Sequence, residues 1–163
     1  MKKQRYMLVL AILIIIVFIV YFTFWWKDPY KEIKLDSPAF IYGDHFNKTT
    51  RLTLEGNYNR DDHNFQGSLL IGNNIKLDHV IILHGALLIS YEGSERTSVG
   101  PVFFDHKKVR ISVEITNPGL YKLLTSESYD GKSKLVISSP ATTAEEAKTV
   151  TEDLKQIKTI FDK

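Results

Sequence analysis

With 163 residues, no cysteine and a formal charge of +2, the chain has room for one globular core of common size plus an appendage. It excludes disulfide scaffolds, thiol catalysis and cysteine-ligated metal. Three of its 21 Lys and Arg (Lys2, Lys3 and Arg5) precede an apolar run, and the remaining 18 face 19 Asp and Glu, so the rest of the chain is near-neutral at −1. No concentrated basic face is present to release counterions, which argues against a nucleic-acid partner.

Met7 to Trp26 carries no charged residue. As a helix rising about 1.5 Å per residue it matches a hydrocarbon core of about 30 Å, so the expected first partner is a lipid bilayer. The run ends in Phe24-Trp25-Trp26-Lys27-Asp28-Pro29, without the small residues of a signal-peptide cleavage site, and this predicts an uncleaved, single-pass signal anchor. Lys2, Lys3 and Arg5 outnumber Lys27 and Lys31 across the span, which keeps the tail of residues 1–6 in the cytoplasm and sends the remainder outside the cell membrane. Tyr6 at one end and Tyr21, Trp25 and Trp26 at the other suit interfacial aromatic belts. Asp28-Pro29 disfavours continued helix, and residues 27–37 read as a charged juxtamembrane stalk.

From residue 38 to 163 the pattern is that of a β-rich extracytoplasmic domain. Leu52, Leu54 and Tyr58 alternate with polar neighbours, and after the charged tip 59–64 the run Phe65 to Ile71 begins, so the two form a hairpin. Val80 to Leu83 and Ala86 to Tyr91 are apolar on both faces, as in one central strand bent at Gly85. His84 falls inside that run and reads as a core-edge histidine bonded to backbone. Glu92 to Gly100 reads as a polar surface loop, and Pro101 puts Val99 to Asp105 at a sheet edge or strand start. Val109, Ile111, Val113 and Ile115 form one apolar face, with Arg110, Ser112 and Glu114 on the solvent side. Asp130-Gly131 predicts a hairpin turn between strands at 121–128 and 133–138.

About eight short strands favour an antiparallel sandwich or a barrel-like sheet. Thr142 or Thr143 can cap a final helix, with Glu145 and Glu146 in its first turn. Ala144, Ala147, Val150, Leu154, Ile157 and Phe161 then recur every three or four residues, predicting an amphipathic helix over 144–161 packed on the sheet. The expected class is mainly β, an α+β chain with a transmembrane helix before the sheet and one helix after it.

The chemistry-bearing residues are four aspartate-histidine pairs: Asp44-His45, Asp62-His63, Asp78-His79 and Asp105-His106. Imidazole and carboxylate ligate zinc-like ions, and two pairs meeting in space would make a site. Neighbours on a strand point to opposite faces, however, so each pair acts together only in a loop, where Asp and His are also ordinary solvated residues. No nucleophile elbow, zincin helix or phosphate loop is present, and no cofactor is implied. Glu92, Glu95 and Glu114 have no partner at fixed spacing, and Asn47-Lys48-Thr49 is an isolated glycosylation sequon.

The basic start Lys2-Lys3-Gln4-Arg5, the uncleaved span and the strand-rich remainder ending Ser138-Ser-Pro-Ala-Thr-Thr-Ala-Glu-Glu-Ala147 together resemble small membrane-anchored extracytoplasmic proteins of Gram-positive bacteria, a group with no assigned activity. The resemblance is one of architecture, and it implies a location and a plan. The expected function is a non-enzymatic domain that binds or senses an envelope or membrane partner. Metal or small-ligand binding through the Asp-His pairs is the first alternative, and an envelope hydrolase with dispersed catalytic residues the second.

Overall fold

The computed structural model describes residues 2–25, 28–84 and 86–161, with the side chains of 2–5, 8–10, 22–25 and 158–161 left aside. Helix α1 runs Lys2–Trp25. Its described side chains are Tyr6, Met7 and the contiguous apolar stretch 11–21, all exposed. That stretch is about 16 Å of helix. Among the described residues no helix is long and apolar enough to cross a membrane. The expected span is therefore seen as helix over Met7 to Trp25; Trp26 and Lys27 lie outside the described residues.

Eight antiparallel strands follow and close on themselves: β1 (Tyr30–Gly43), β2 (Asn47–Asn59), β3 (Asn64–Ile71), β4 (Ile75–Leu83), β5 (Leu87–Glu92), β6 (Glu95–Asp105), β7 (Arg110–Glu114) and β8 (Leu135–Ser139), with β8 pairing back onto β1. The alternative between sandwich and barrel resolves as a barrel. Alternate residues point inward, as the pleat requires. Ile33, Leu35, Ala39 and Ile41 from β1 meet Leu52, Leu54, Phe65, Leu69, Val80, Ile82, Val102, Ile111, Val113 and Ile137 in one buried core. Eight strands give an interior that side chains can just fill, and these fill it. Across β2 and β3, Gly56 faces Gly67. A Cβ on either would lie 2.1 Å from a backbone oxygen across the pair, and the Phe65 ring occupies the space above them.

Several expectations are corrected. The stalk gives way at Tyr30, because Ile33 and Leu35 are core residues and the charges of Glu32, Lys34 and Asp36 face solvent from a strand fully paired with β2. Residues 80–91 are not one bent strand but the hairpin β4–β5; Gly85 lies outside the described residues. His84 is exposed in that turn, at φ 49°, its N–H donating to Asn64 Oδ1 at 3.0 Å. The expected loop 92–100 shrinks to a turn at Gly93-Ser94, since Glu92 already pairs with Glu95. Pro101 is at no edge, because a closed barrel has none. It sits opposite Leu87 beside a register shift, next to Gly100 at φ 151°.

Residues 121–128 are not a strand. Helix α2 spans Pro118–Thr125, capped by Asn117, whose Oδ1 accepts the Leu120 N–H at 2.8 Å, and terminated by left-handed Ser126. Proline at its first position fits, since that N–H has no helical partner to lose. The Asp130-Gly131 turn exists, with Asp130 accepting the N–H groups of Lys132 and Ser133, but it joins a helix to a strand.

The C-terminal helix α3, Ala144–Phe161, has the expected bounds. Thr143 Oγ1 accepts the Glu146 N–H at 3.2 Å, while the Glu146 carboxylate accepts the Thr142 N–H and hydroxyl, both at 2.7 Å. The helix lies over β1, β8, β7 and β6. Ser112, expected in solvent, is buried beneath it. Thr151 Oγ1 donates to the Ala147 carbonyl at 2.9 Å and meets the hydroxyls of Tyr42, Ser112 and Ser138 at 2.9, 2.8 and 2.7 Å. Small hydroxyl residues let helix and wall approach closely, and their mutual bonding meets the requirement that buried polar groups be paired.

Candidate functional site

Up-and-down connectivity sorts the loops to two ends. The proximal end carries the entry to β1 from α1, the turns 59–64 and 83–87, and the loop 105–110. The distal end carries the turns 43–47, 71–75 and 92–95 together with α2. The Asp-His pairs divide between them. Asp44 and His45 are exposed at the distal end, where Asp44 accepts the Lys134 N–H at 3.3 Å. Asp78 and His79 are exposed on β4, where Asp78 pairs with Lys76 at 2.6 Å. Asp62-His63 and Asp105-His106 both lie at the proximal end.

There the two histidines flank one ring. Tyr58, buried inside the barrel mouth, bonds His63 Nδ1 through its hydroxyl at 3.1 Å and stacks on His106 at 4.2 Å between centroids. Phe104 meets Tyr58 edge-on, and Lys31 Nζ donates to the His106 carbonyl at 2.8 Å. Burial, and then the charge of Lys31, hold the His106 imidazole below its ordinary value, and burial raises the Tyr58 phenol. The two aspartates serve their turns. Asp62 accepts the Asn59 amide at 2.7 Å. Asp105 accepts the N–H groups of Lys107 and Lys108 and faces Arg110 at 3.6 Å. Although burial opposes it, those N–H groups and Arg110 bring the Asp105 carboxyl below its usual range. Arg110 also reaches Asp153 on α3 at 3.2 Å, while its Nε is buried with no partner among the described residues. Among the described residues no group of three or more His, Asp or Glu is placed to hold a metal ion.

Among the described residues, clefts open at two other places, and neither is lined by a histidine. The distal cleft, about 650 Å³, lies between α2 and the β3–β4 turn. Ile41, Ile71, Ile75, Leu77, Leu120 and Leu124 give it an apolar floor, and Lys48, Lys76, Asn73, Asn74, Asn117 and Glu92 a polar rim. Leu123 stands at its wall, 71% exposed. The proximal cleft, about 430 Å³, lies on the outer face of β1–β3 and is lined by Tyr30, Asn57, Asn59, Asp62, Asn64 and Gln66. Outside α1, Leu123 and Tyr30 are the large hydrophobic side chains left exposed among the described residues, and each lines a cleft. Of the eight Asp-His residues only Asp62 lines either one.

The cleft residues escaped the sequence reading for different reasons. Leu123 sat in a segment expected to be strand, and Tyr30 in the expected stalk. The amides were legible in principle: Asn57 and Asn59 before the hairpin tip, with Asn64 and Gln66 after it, share one face by period two.

No known family matches the chain, and no curated protein or solved structure does.

Proposed function

We propose that the protein is a single-pass, membrane-anchored recognition domain, held outside the cytoplasm by α1, that binds an envelope or membrane partner through the distal cleft and performs no chemistry of its own. The observation that carries this reading is the exposed Leu123 beside an apolar floor, at the end of a filled, closed barrel opposite the entry of α1. Apolar side chains left in water beside a concave, polar-rimmed surface are characteristic of interaction sites. The charge-free run Met7 to Trp26 supports membrane attachment by its length, and the three bases before it support the inside position of the N-terminus. Confinement to the membrane raises the effective concentration of domain and partner without any added contact.

The composition of the clefts speaks against catalysis. Among the described residues each is lined by one carboxylate, Glu92 in the distal and Asp62 in the proximal cleft, whereas most glycosidic hydrolysis uses two facing carboxyl groups. A photocrosslinking amino acid at position 123, in intact cells, is expected to capture one envelope or membrane protein, and Leu123→Asp to abolish its co-purification. Failure of capture, together with turnover of a cell-wall substrate by the purified chain, would reject the reading. Membrane attachment has its own check, retention of the full chain in the membrane fraction after alkaline carbonate washing. Release into the supernatant rejects it.

A further inference from the structure

We infer that the proximal cleft is a binding site for a neutral glycan, with Tyr30 as the platform for a sugar ring and the amides around it as hydroxyl partners. The register of the sheet builds the site. Tyr30 pairs with Asn59, and Asn59 with Asn64, giving one row across three strands; Asn57 pairs with Gln66 in the next row. All point outward, because Tyr58 and Phe65, of opposite parity, are buried inside the barrel. Tyr30 is 56% exposed.

The back of the row is fixed by the loops. Asn59 Oδ1 accepts the N–H groups of Asp61 and Asp62 at 2.9 and 3.3 Å, its Nδ2 donates to Asp62 Oδ2 at 2.7 Å, and Asn64 Oδ1 accepts the His84 N–H. The side-chain amides of Asn57 and Gln66 have no hydrogen-bond partner among the described residues, nor has Asn64 Nδ2. Each amide offers donors beside an acceptor. The matching ligand therefore presents donors and acceptors on neighbouring atoms, together with an apolar face for the Tyr30 ring. Vicinal hydroxyls on a pyranose, whose C–H face is apolar, meet both conditions.

Other ligand classes fit less well. Among the described residues no Lys or Arg lines the cleft to hold an anion, and no aliphatic side chain lines it to hold a lipid tail. An extended peptide recognised by strand addition needs a free sheet edge, and the barrel is closed. The volume falls in the usual range for small-ligand sites, about 300 to 1,000 Å³, and suits a short stretch of sugar units. The cleft's chemistry is the same whether or not α1 crosses a membrane, so the sugar has two sources, a glycolipid headgroup or a free or wall-bound glycan.

The test uses the full chain in phosphatidylcholine nanodiscs, which avoid sugar-headed detergents. Calorimetry is run with neutral oligomers of glucose and of N-acetylglucosamine and, in a second arm, flotation with vesicles containing or lacking diglucosyl-diacylglycerol. At least one arm is expected to show binding. Tyr30→Ala weakens it about tenfold, the scale of one lost aromatic contact, while Tyr30→Phe stays within about threefold of the parent. The double variant Asn57→Ala/Gln66→Ala loses it, and Lys48→Ala in the distal cleft leaves it unchanged. Far-UV circular dichroism of each variant certifies the fold. Binding in the first arm alone assigns a free or wall glycan, and in the second alone a glycolipid. No binding in either arm overturns the inference. So does parent-like affinity in both Tyr30→Ala and the amide double variant, or equal competition by a neutral extended peptide.

Discussion

The two ends of the barrel are closed by different physics. At the distal end α2 lays Leu120, Tyr121 and Leu124 over the core, all buried, with Tyr129 packed against Tyr121 at 5.1 Å between centroids. At the proximal end the closure is Tyr58 and Phe104 with His106 stacked on the tyrosine and a lysine bonded to the histidine's carbonyl. One closure is mainly apolar, and a single short helix carries it. The other is aromatic with a titratable outer layer, so its strength depends on protonation. A filled barrel interior therefore does not dictate how the mouths are sealed.

A single substitution in α2 is enough to open the distal seal. Leu120→Ala removes a buried side chain from α2 and is expected to cost about 2 to 4 kcal/mol in urea unfolding. A loss under about 1 kcal/mol would mean that the helix merely rests on the barrel. Asn117→Ala acts on the same seal through its cap and is expected to cost about 1 kcal/mol. Since it touches the helix terminus rather than the core, hydrogen exchange should quicken more in 118–125 than in β1–β3. Uniform quickening would show that α2 unfolds only with the barrel. At the other end, Tyr58→Phe keeps the ring and its stacking but removes the hydroxyl bond to the exposed His63, with an expected cost of about 0.5 to 1 kcal/mol. A cost as large as that of Leu120→Ala would place the proximal closure in the hydrogen bond and not in the stacked rings.

How much of this was legible depends on how local the cause is. The α3 bounds could be read because a 3.6-residue stripe and two acids in the first turn are written within eighteen residues. The β2–β3 hairpin and the core face of β7 could be read from period two. Helix α2 was not, because Leu120-Tyr-Lys-Leu-Leu124 is as acceptable to a strand as to one short helix; its signal was the cap pair Asn117-Pro118. The first half of β1 was hidden by its charges, although Ile33 and Leu35 already alternate with them. Closure itself was out of reach, since it rests on β1 pairing with β8, Phe40 against Ser138 and Gly43 against Leu135, and nothing in either segment alone specifies that partner. The same holds for the sites. The Asp-His pairs stood out in the sequence, but the fold divides them: two meet around Tyr58 without gathering a metal-binding set among the described residues, while Tyr30 and four unremarkable amides converge through register alone.

The finest difference between the ends should appear in pH. His106 is held below the ordinary imidazole value first by burial, then by Lys31, with Lys107 and His63 acting the same way and Asp105 opposing. Just below about pH 6.5 the unfolded chain thus binds a proton at this position that the folded chain resists. Stability from this group is fully present above that pH and falls as pH drops toward the folded-state value. The lowered carboxyls of Asp36, Asp105, Asp130 and Glu146 act in the same direction, but only near and below about pH 4. Urea midpoints measured between pH 7.5 and 5.0 therefore separate His106 from those carboxyls. The parent midpoint is expected to decline over that range, Leu120→Ala to decline in parallel from a lower start, and His106→Gln to flatten. If His106→Gln declines as steeply as the parent, the proximal closure is not the pH-sensitive one, and the contrast between the two ends reduces to one of shape.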